Sequence, residues 1–460
     1  MTTAIPRSLE PSPDGPAQAG RDAIAAATPR ALAKSLAPLL GSNALISLTG
    51  LICLPLLFRN LGPASYGQLS LFLLGMGLLT SLDLARPTLV HELAGGQRSS
   101  QPGELLSLIG VSQGALVPLA LAVGLLGFGP SAGLALGLGV HFFVASSGPY
   151  AVLAVRGRVG TAGAVRNLLW VAAFVGATLA STAGWGVAAL AWPFALANAG
   201  VYLVNRHLAG PGSGALLPRP RLDVERRFRG RSADILGLGV ATAVVVAADR
   251  LLLQWGTEGE SFGRYAAQYD LAIKINVLSS ALGTVLFPAY SRLVAERGRG
   301  AAARSFLRQL SWVVVAYFLG LLALTAFSGE LLELVLGSEA GEGAVVLPLF
   351  FLGVFLALFG HLLTPWQRAC GDFRTHRRVY AGTALWMVAF GAFAIPAWGA
   401  LGAALTYLSA RVADLALIAC EARRLPREIL PRRKLVLLGA MLLVLGAVAL
   451  AQLAELGGAA

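Results

Sequence analysis

Few ionisable side chains fall deep inside the long apolar stretches of this sequence, and those that do come in pairs. Lys274 has Asp270 four residues before it, and Arg411 has Asp414 three residues after it. On a helix these spacings bring both side chains to one face. Asp83 and Arg86 repeat the arrangement just before Pro87, nearer the end of another apolar stretch. A charge at the bilayer centre costs about 2.5 to 3.5 kcal/mol on insertion scales, so each one retained needs a partner, a cavity or a function. Lys274, Arg411 and Arg86 are therefore candidate substrate-binding cations, suited to the phosphate of an amphiphile. The competing reading is a neutralised pair that ties helices together. Asp270, Asp414 and Asp83 are, in the same way, either ion-coupling groups or mere charge partners. For Asp83 and Arg86 an interfacial salt bridge with snorkelling is the simpler account. Asp249 and Arg250, close to the end of their stretch, read as interfacial for the same reason.

Other chemistries lack their residues. His141 and His361 stand in apolar stretches without His, Cys or carboxylate neighbours at ligand spacing, which points to hydrogen-bonded helix contacts rather than a metal, with a proton relay as the alternative. Cys53, Cys370 and Cys420 are far apart and form no CxxC pair. No phosphate-binding GxxxxGK[ST] loop or HExxH motif occurs, and no GxSxG nucleophile elbow stands out. No catalytic residue, metal site or cofactor is expected, and a transporter is expected rather than an enzyme.

The elements that must position these residues follow from composition. Of 460 residues 56% are apolar and 13% charged, with a mean hydropathy of +0.71. Apolar stretches of about 20 residues, the length that crosses about 30 Å of hydrocarbon as a helix, fall near 36–58, 66–93, 105–127, 131–154, 162–182, 185–205, 232–255, 264–290, 305–327, 343–366, 379–396, 399–420 and 435–456. The expected fold is an all-α polytopic membrane protein of 12 or 13 spans. The last span is the least certain because Gln452 and Glu455 crowd its end.

The net charge of +13 is concentrated on alternate loops: Arg156 and Arg158, the cluster from Arg219 to Arg231, Arg292 to Arg304, Arg374 to Arg378, and Arg423 to Lys434. Glu258, Glu260, Glu330, Glu333, Glu339 and Glu342 lie on the opposite set. The positive-inside rule then puts the N-terminus and the basic loops in the cytoplasm. Contact with anionic membrane lipids explains the basicity without a nucleic acid. The Pro-rich residues 1–35 read as a disordered cytoplasmic tail rather than a cleavable signal. The basic 206–231 segment reads as a linker between a 36–205 half and a 232–420 half. The basic loop 421–434 then leads to an extra span in 435–460. The 219–231 cluster could also recruit glycan-assembly proteins, although orientation and lipid contact suffice to explain it.

The halves repeat each other. Ser65-Tyr66-Gly67-Gln68 is echoed by Ser261-Phe262-Gly263-Arg264, and Pro149 before Arg156-Gly157-Arg158 by Pro365 before Cys370-Gly371-Asp372. Trp185-Gly186-Val187-Ala188-Ala189 is echoed by Trp398-Gly399 and the Gly402-Ala403-Ala404 that follows. Six spans per half make the repeat parallel, and such halves can rock about a V-shaped central cavity. Duplication kept only for packing is the plainer reading.

The segment Arg59-Asn60-Leu61-Gly62-Pro63-Ala64-Ser65-Tyr66-Gly67-Gln68, with Leu82-Asp83-Leu84 and His91-Glu92-Leu93-Ala94, resembles the N-terminal signature of the Wzx-type polysaccharide flippases. These belong to the MOP superfamily, which also holds the MATE drug exporters and the lipid II flippases. In the second half, Asp249-Arg250, Phe262-Gly263, Tyr269 to Ala272 and Phe287-Pro288-Ala289-Tyr290-Ser291-Arg292-Leu293 are similar to that family's second repeat. Ala85 stands where family members often carry Gly. The resemblance covers about residues 36 to 420 and implies a flippase of the bacterial inner membrane. Its cargo would be an isoprenoid-pyrophosphate-linked oligosaccharide for capsule, exopolysaccharide or O-antigen, driven by a proton or sodium gradient. Two other functions remain open: a MATE-like exporter of amphiphilic cations, which should prefer an acidic cavity, and a membrane glycan polymerase or ligase, which should carry a large outer loop.

Overall fold

The computed structural model describes residues 29–83, 85–86, 89, 102–156, 158–210, 213, 222–337, 346–370, 373–422 and 432–458, all of them helix or short connection. In chain order the helices are α1 (Pro29–Ser81), α2 (Pro102–Phe128), α3 (Pro130–Ala145), α4 (Ser147–Val155), α5 (Val159–Thr182), α6 (Val187–Leu190) and α7 (Trp192–Ala209). There follow α8 (Leu222–Gly256), α9 (Gly259–Ala326), α10 (Ser328–Leu336), α11 (Leu347–Ala369), α12 (Phe373–Ala422) and α13 (Arg432–Gly458).

Three of these helices are too long to be single spans. The 41 apolar-rich residues Gly41–Ser81 would make a rod of about 60 Å, twice the hydrocarbon thickness. Each long helix is broken at one glycine: α1 at Gly62 (φ 72°), α9 at Gly298 (φ 77°) and α12 at Gly399 (φ 53°). A side chain would resist these positive φ values, so glycine permits the chain to leave the helix there and re-enter it at once. At the first break the rings of Phe58 and Tyr66, on opposite sides of Gly62, meet edge to face at 5.5 Å. Among the described residues eight helical stretches are long and apolar enough to cross a membrane, or nine if the pair bent by 66° around Phe327 is one span. The chain is a multi-pass membrane protein.

The helix pairings repeat between the halves. α1 packs on α5 as α8 packs on α12, α2 on α3 as α9 on α11, and α3 on α7 as α11 on α12. The halves meet where α1 lies against α9, with a smaller contact between α1 and α8. That seam is made by the recurring Ser-aromatic-Gly motif itself. A Cβ on Gly263 would lie 1.9 Å from the Pro63 carbonyl oxygen, and one on Gly67 would lie 2.9 Å from the Phe262 ring. Both glycines therefore let two backbones approach across the seam.

Several expected boundaries move. Residues 29–35 of the expected disordered tail are helical, as are 222–231 of the expected linker. Hydropathy sees only the apolar portion of a helix, whereas backbone hydrogen bonding continues past it. Residues 1–28, most of 211–221 and 423–431 lie outside the described residues. The expected basic loop around 292–304 is helix interrupted at Gly298 alone, and Glu330 and Glu333 ride on the short helix α10. The last expected span falls on α13, whose apolar part Ala440–Ala454 is too short to count among the described stretches long enough to cross a membrane. It packs on α9, α10 and α11, and Ser328 donates a hydrogen bond to Gln452 at 3.3 Å.

Candidate transport cavity

A cavity of about 330 Å³ opens between the halves. Its N-terminal wall comes from the two limbs of α1 and from α5: Leu54, Leu57, Leu69, Leu73, Leu74, Trp170 and Phe174, with Tyr66 and Ser70 as the polar exceptions. Its C-terminal wall comes from α8, α9, α11 and α12 and brings Arg250, Asp270, Lys274, Asn276, His361, Tyr269, Tyr380, Tyr407 and Arg411. Among the described lining residues, every carboxylate, cation and histidine therefore belongs to the second half.

The two arginines bracket a pair of tyrosines. The Arg250 guanidinium lies 4.1 Å from the centre of the Tyr269 ring, that ring meets Tyr407 edge to face at 5.6 Å, and the Arg411 guanidinium lies 5.0 Å from the Tyr407 ring. These are cation–π distances, strengthened where water is excluded. Both side chains are buried, at 5% and 8% exposure. The Nε–H of each has no hydrogen-bond partner among the described residues, so each retains unused donor capacity beside the cavity. Arg250 donates to the Val246 carbonyl at 2.7 Å. Arg411 donates to Asp414 at 3.3 Å, and Asp414 also accepts from Thr383 at 2.7 Å.

Lys274 and Asp270 both line the cavity but are not an ion pair with one another. Asp270 accepts hydrogen bonds from the hydroxyls of Tyr66 at 2.8 Å and Ser70 at 3.1 Å. The Lys274 ammonium lies 4.3 Å from the centre of the Phe174 ring. Asn276 and His361 are hydrogen-bonded at 3.1 Å at the cavity wall. His361 thus makes the expected helix-to-helix contact.

The third predicted pair lies elsewhere. Asp83 accepts from the Ser147 hydroxyl at 2.5 Å and from the Ala85 backbone N–H at 3.0 Å. Arg86 donates to the Ser146 hydroxyl at 2.9 Å and stacks on Phe143 and Tyr150 at 4.2 and 4.8 Å. Their side chains form no ion pair with each other. Ser146 and Ser147 mark the break between α3 and α4, and a helix junction frees polar groups that a serine and an aspartate can satisfy. Neither Asp83 nor Arg86 is among the residues that line the cavity.

Asp249 and Arg250 sit inside the protein rather than snorkelling at its surface: Asp249 is 0% exposed and accepts from the Tyr265 hydroxyl at 2.7 Å. Tyr265 and Tyr269 of α9 and Tyr407 of α12 surround the pair, which proximity to a span end could not reveal. The available signal was the density of tyrosines in the same half, because a buried arginine needs aromatic faces or acceptors.

The fold has precedents among solved structures. A MATE transporter of Vibrio cholerae superposes with a TM-score of 0.59 at 15% identity over 87% of this chain and 99% of its own. The lipid II flippase MurJ in an inward closed conformation gives 0.61 at 11% identity, over 91% and 97%. The chain has the MOP-superfamily fold. A MOP superfamily transporter of Pyrococcus furiosus, described as having a binding pocket of reverse polarity, gives 0.56 at 14% identity over 87% and 96%. No protein-family model matches the chain, and no curated protein matches it.

Proposed function

We propose that this MOP-fold protein is a flippase that carries an isoprenoid-pyrophosphate-linked oligosaccharide across the bacterial inner membrane for surface polysaccharide synthesis, with its N-terminus and basic loops in the cytoplasm. The observation that carries this reading is the charge of the cavity: Arg250, Lys274 and Arg411 line it with Asp270, and Asp270 already accepts two hydroxyls. A pyrophosphate diester brings two negative charges and several acceptor oxygens, which guanidinium forks bind in preference to isolated neutral groups. The leucine-rich opposite wall suits an isoprenoid chain. A lipid II flippase shares the fold, so the scaffold serves lipid flipping elsewhere. An ion gradient of protons or sodium would drive the cycle, with Asp270 and Asp414 as the carboxylates at and behind the cavity wall.

The test is mass spectrometry of isoprenoid-linked intermediates in cells lacking the protein, against a restored wild type. Accumulation of an isoprenoid-pyrophosphate glycan on the cytoplasmic face is the expected result. The second reading, a cation exporter, is favoured by the MATE transporters that share the fold, but its cargo would meet three like charges in the cavity. No accumulation together with increased retention of cationic dyes would replace the flippase with that exporter.

A further inference from the structure

Lys274 and Asp270 occupy positions i and i−4 on α9, the spacing at which opposite charges on a helix surface attract, yet each is held by the other half. The Tyr66 and Ser70 hydroxyls that bond the Asp270 carboxylate, at 2.8 and 3.1 Å, both come from the second limb of α1 and meet the same oxygen, Oδ2. The lysine is drawn across as well. Its stem lies over Gly50 on the first limb of α1, where a Cβ would come within 2.7 Å of Lys274 Cε, and its ammonium faces Phe174 of α5. The Ser47 hydroxyl adds a bond to the Lys274 carbonyl at 3.1 Å.

We propose that Tyr66 and Ser70 are positioning residues that keep Asp270 away from Lys274. While the halves are apposed here, the lysine is available to an anion. When the halves separate along this seam, both hydroxyl bonds break, the carboxylate falls back on Lys274 one turn away, and the pair expels the anion. This rests on the anionic-headgroup reading of the cavity and supplies its release step. The other charges facing the cavity do not change in this way, because their partners lie within their own half. Arg411 is bonded to Asp414 three residues along α12, and Arg250 to the Val246 carbonyl four residues back on α8. Asp270 and Lys274 thus form the charge pair whose contacts cross the moving seam. A charge-assisted hydrogen bond is about twice as strong as a neutral one, so two of them can compete with an ion pair that requires both side chains to reorganise.

The experiment measures binding of geranylgeranyl pyrophosphate to the full-length protein in lipid nanodiscs by titration calorimetry. Tyr66→Phe with Ser70→Ala should weaken binding about tenfold, the equivalent of one pairing in free energy. Adding Asp270→Asn to that background should restore the affinity, and Asp270→Asn alone should tighten binding about threefold. Undiminished affinity in the double variant overturns the proposal. So does a loss that Asp270→Asn fails to restore, since affinity lost through the freed carboxylate must return when its charge is removed. Weaker binding by Asp270→Asn alone overturns it too, and needs no variant of Tyr66 or Ser70 to fold. A wild type that binds no geranylgeranyl pyrophosphate instead removes the anionic-headgroup reading itself, and this release step with it.

Discussion

The two halves share their helix pairings but present opposite surfaces to the cavity between them. The first half offers leucines, Trp170 and Phe174; the second offers Arg250, Lys274, Arg411, Asp270 and three tyrosines. At the seam the halves are alike, because the recurring Gly67 and Gly263 each permit a close approach that a side chain would block. Duplication thus constrains the packing surface at these glycines, while the cavity walls have diverged in side-chain type. One wall is suited to a lipid tail and the other to a charged headgroup, a division that a symmetric pair of halves could not provide.

The largest expected effect breaks the charged wall from within. Arg411→Ala leaves Asp414 buried with Thr383 as its neutral hydrogen-bond donor, and removal of one partner from a buried ion pair costs about 3 to 5 kcal/mol. Thermal unfolding in detergent should show this loss. Arg411→Met combined with Asp414→Leu should recover most of the stability while pyrophosphate binding stays impaired. Recovery of binding in the double variant would mean that the wall matters as packing rather than charge.

A smaller effect is expected at the shared seam. Gly263→Ala places a methyl group 1.9 Å from the Pro63 carbonyl oxygen in the unrelaxed backbone, and relief of such overpacking costs about 1 to 3 kcal/mol. On the same helix Gly320 has open space where its Cβ would stand, so Gly320→Ala should change the unfolding midpoint by the equivalent of no more than about 0.5 kcal/mol. Equal effects at both sites would remove the distinction between the constrained seam and the rest of the fold.

The smallest effects separate the two walls by function. Lys274→Gln should weaken geranylgeranyl pyrophosphate binding about tenfold, whereas Leu73→Ala on the opposite wall should change inorganic pyrophosphate binding by less than about threefold. Leu73→Ala should nevertheless reduce affinity for the isoprenoid form. Identical losses for both pyrophosphates would dissolve the proposed split between tail wall and headgroup wall.

Much of the helical architecture was legible because lipid leaves the backbone few options: an apolar stretch of spanning length must close its hydrogen bonds as a helix. Lys274 and Arg411 were legible as deep charges because depth in an apolar stretch is a one-dimensional property. Arg250 was missed because it stands near a span end, where sequence allows snorkelling and only the neighbouring tyrosines exclude it. Arg86 and Asp83 looked like an interfacial salt bridge by spacing alone, and their serine partners at the α3–α4 junction are more than 50 residues away in the chain.

By itself the sequence determined the solvent, many of the approximate spans, the recurring motifs and the types of charge that must be accommodated, since each follows from local composition or spacing. Only the tertiary structure decided which charges share a cavity and which partner each takes. Asp270 illustrates the reason: the helix offers it Lys274 four residues away, but the packed halves bring it the Tyr66 and Ser70 hydroxyls, about 200 residues distant in sequence. In a low-dielectric interior, the partner that arrives with good hydrogen-bond geometry determines the pairing, and sequence proximity does not.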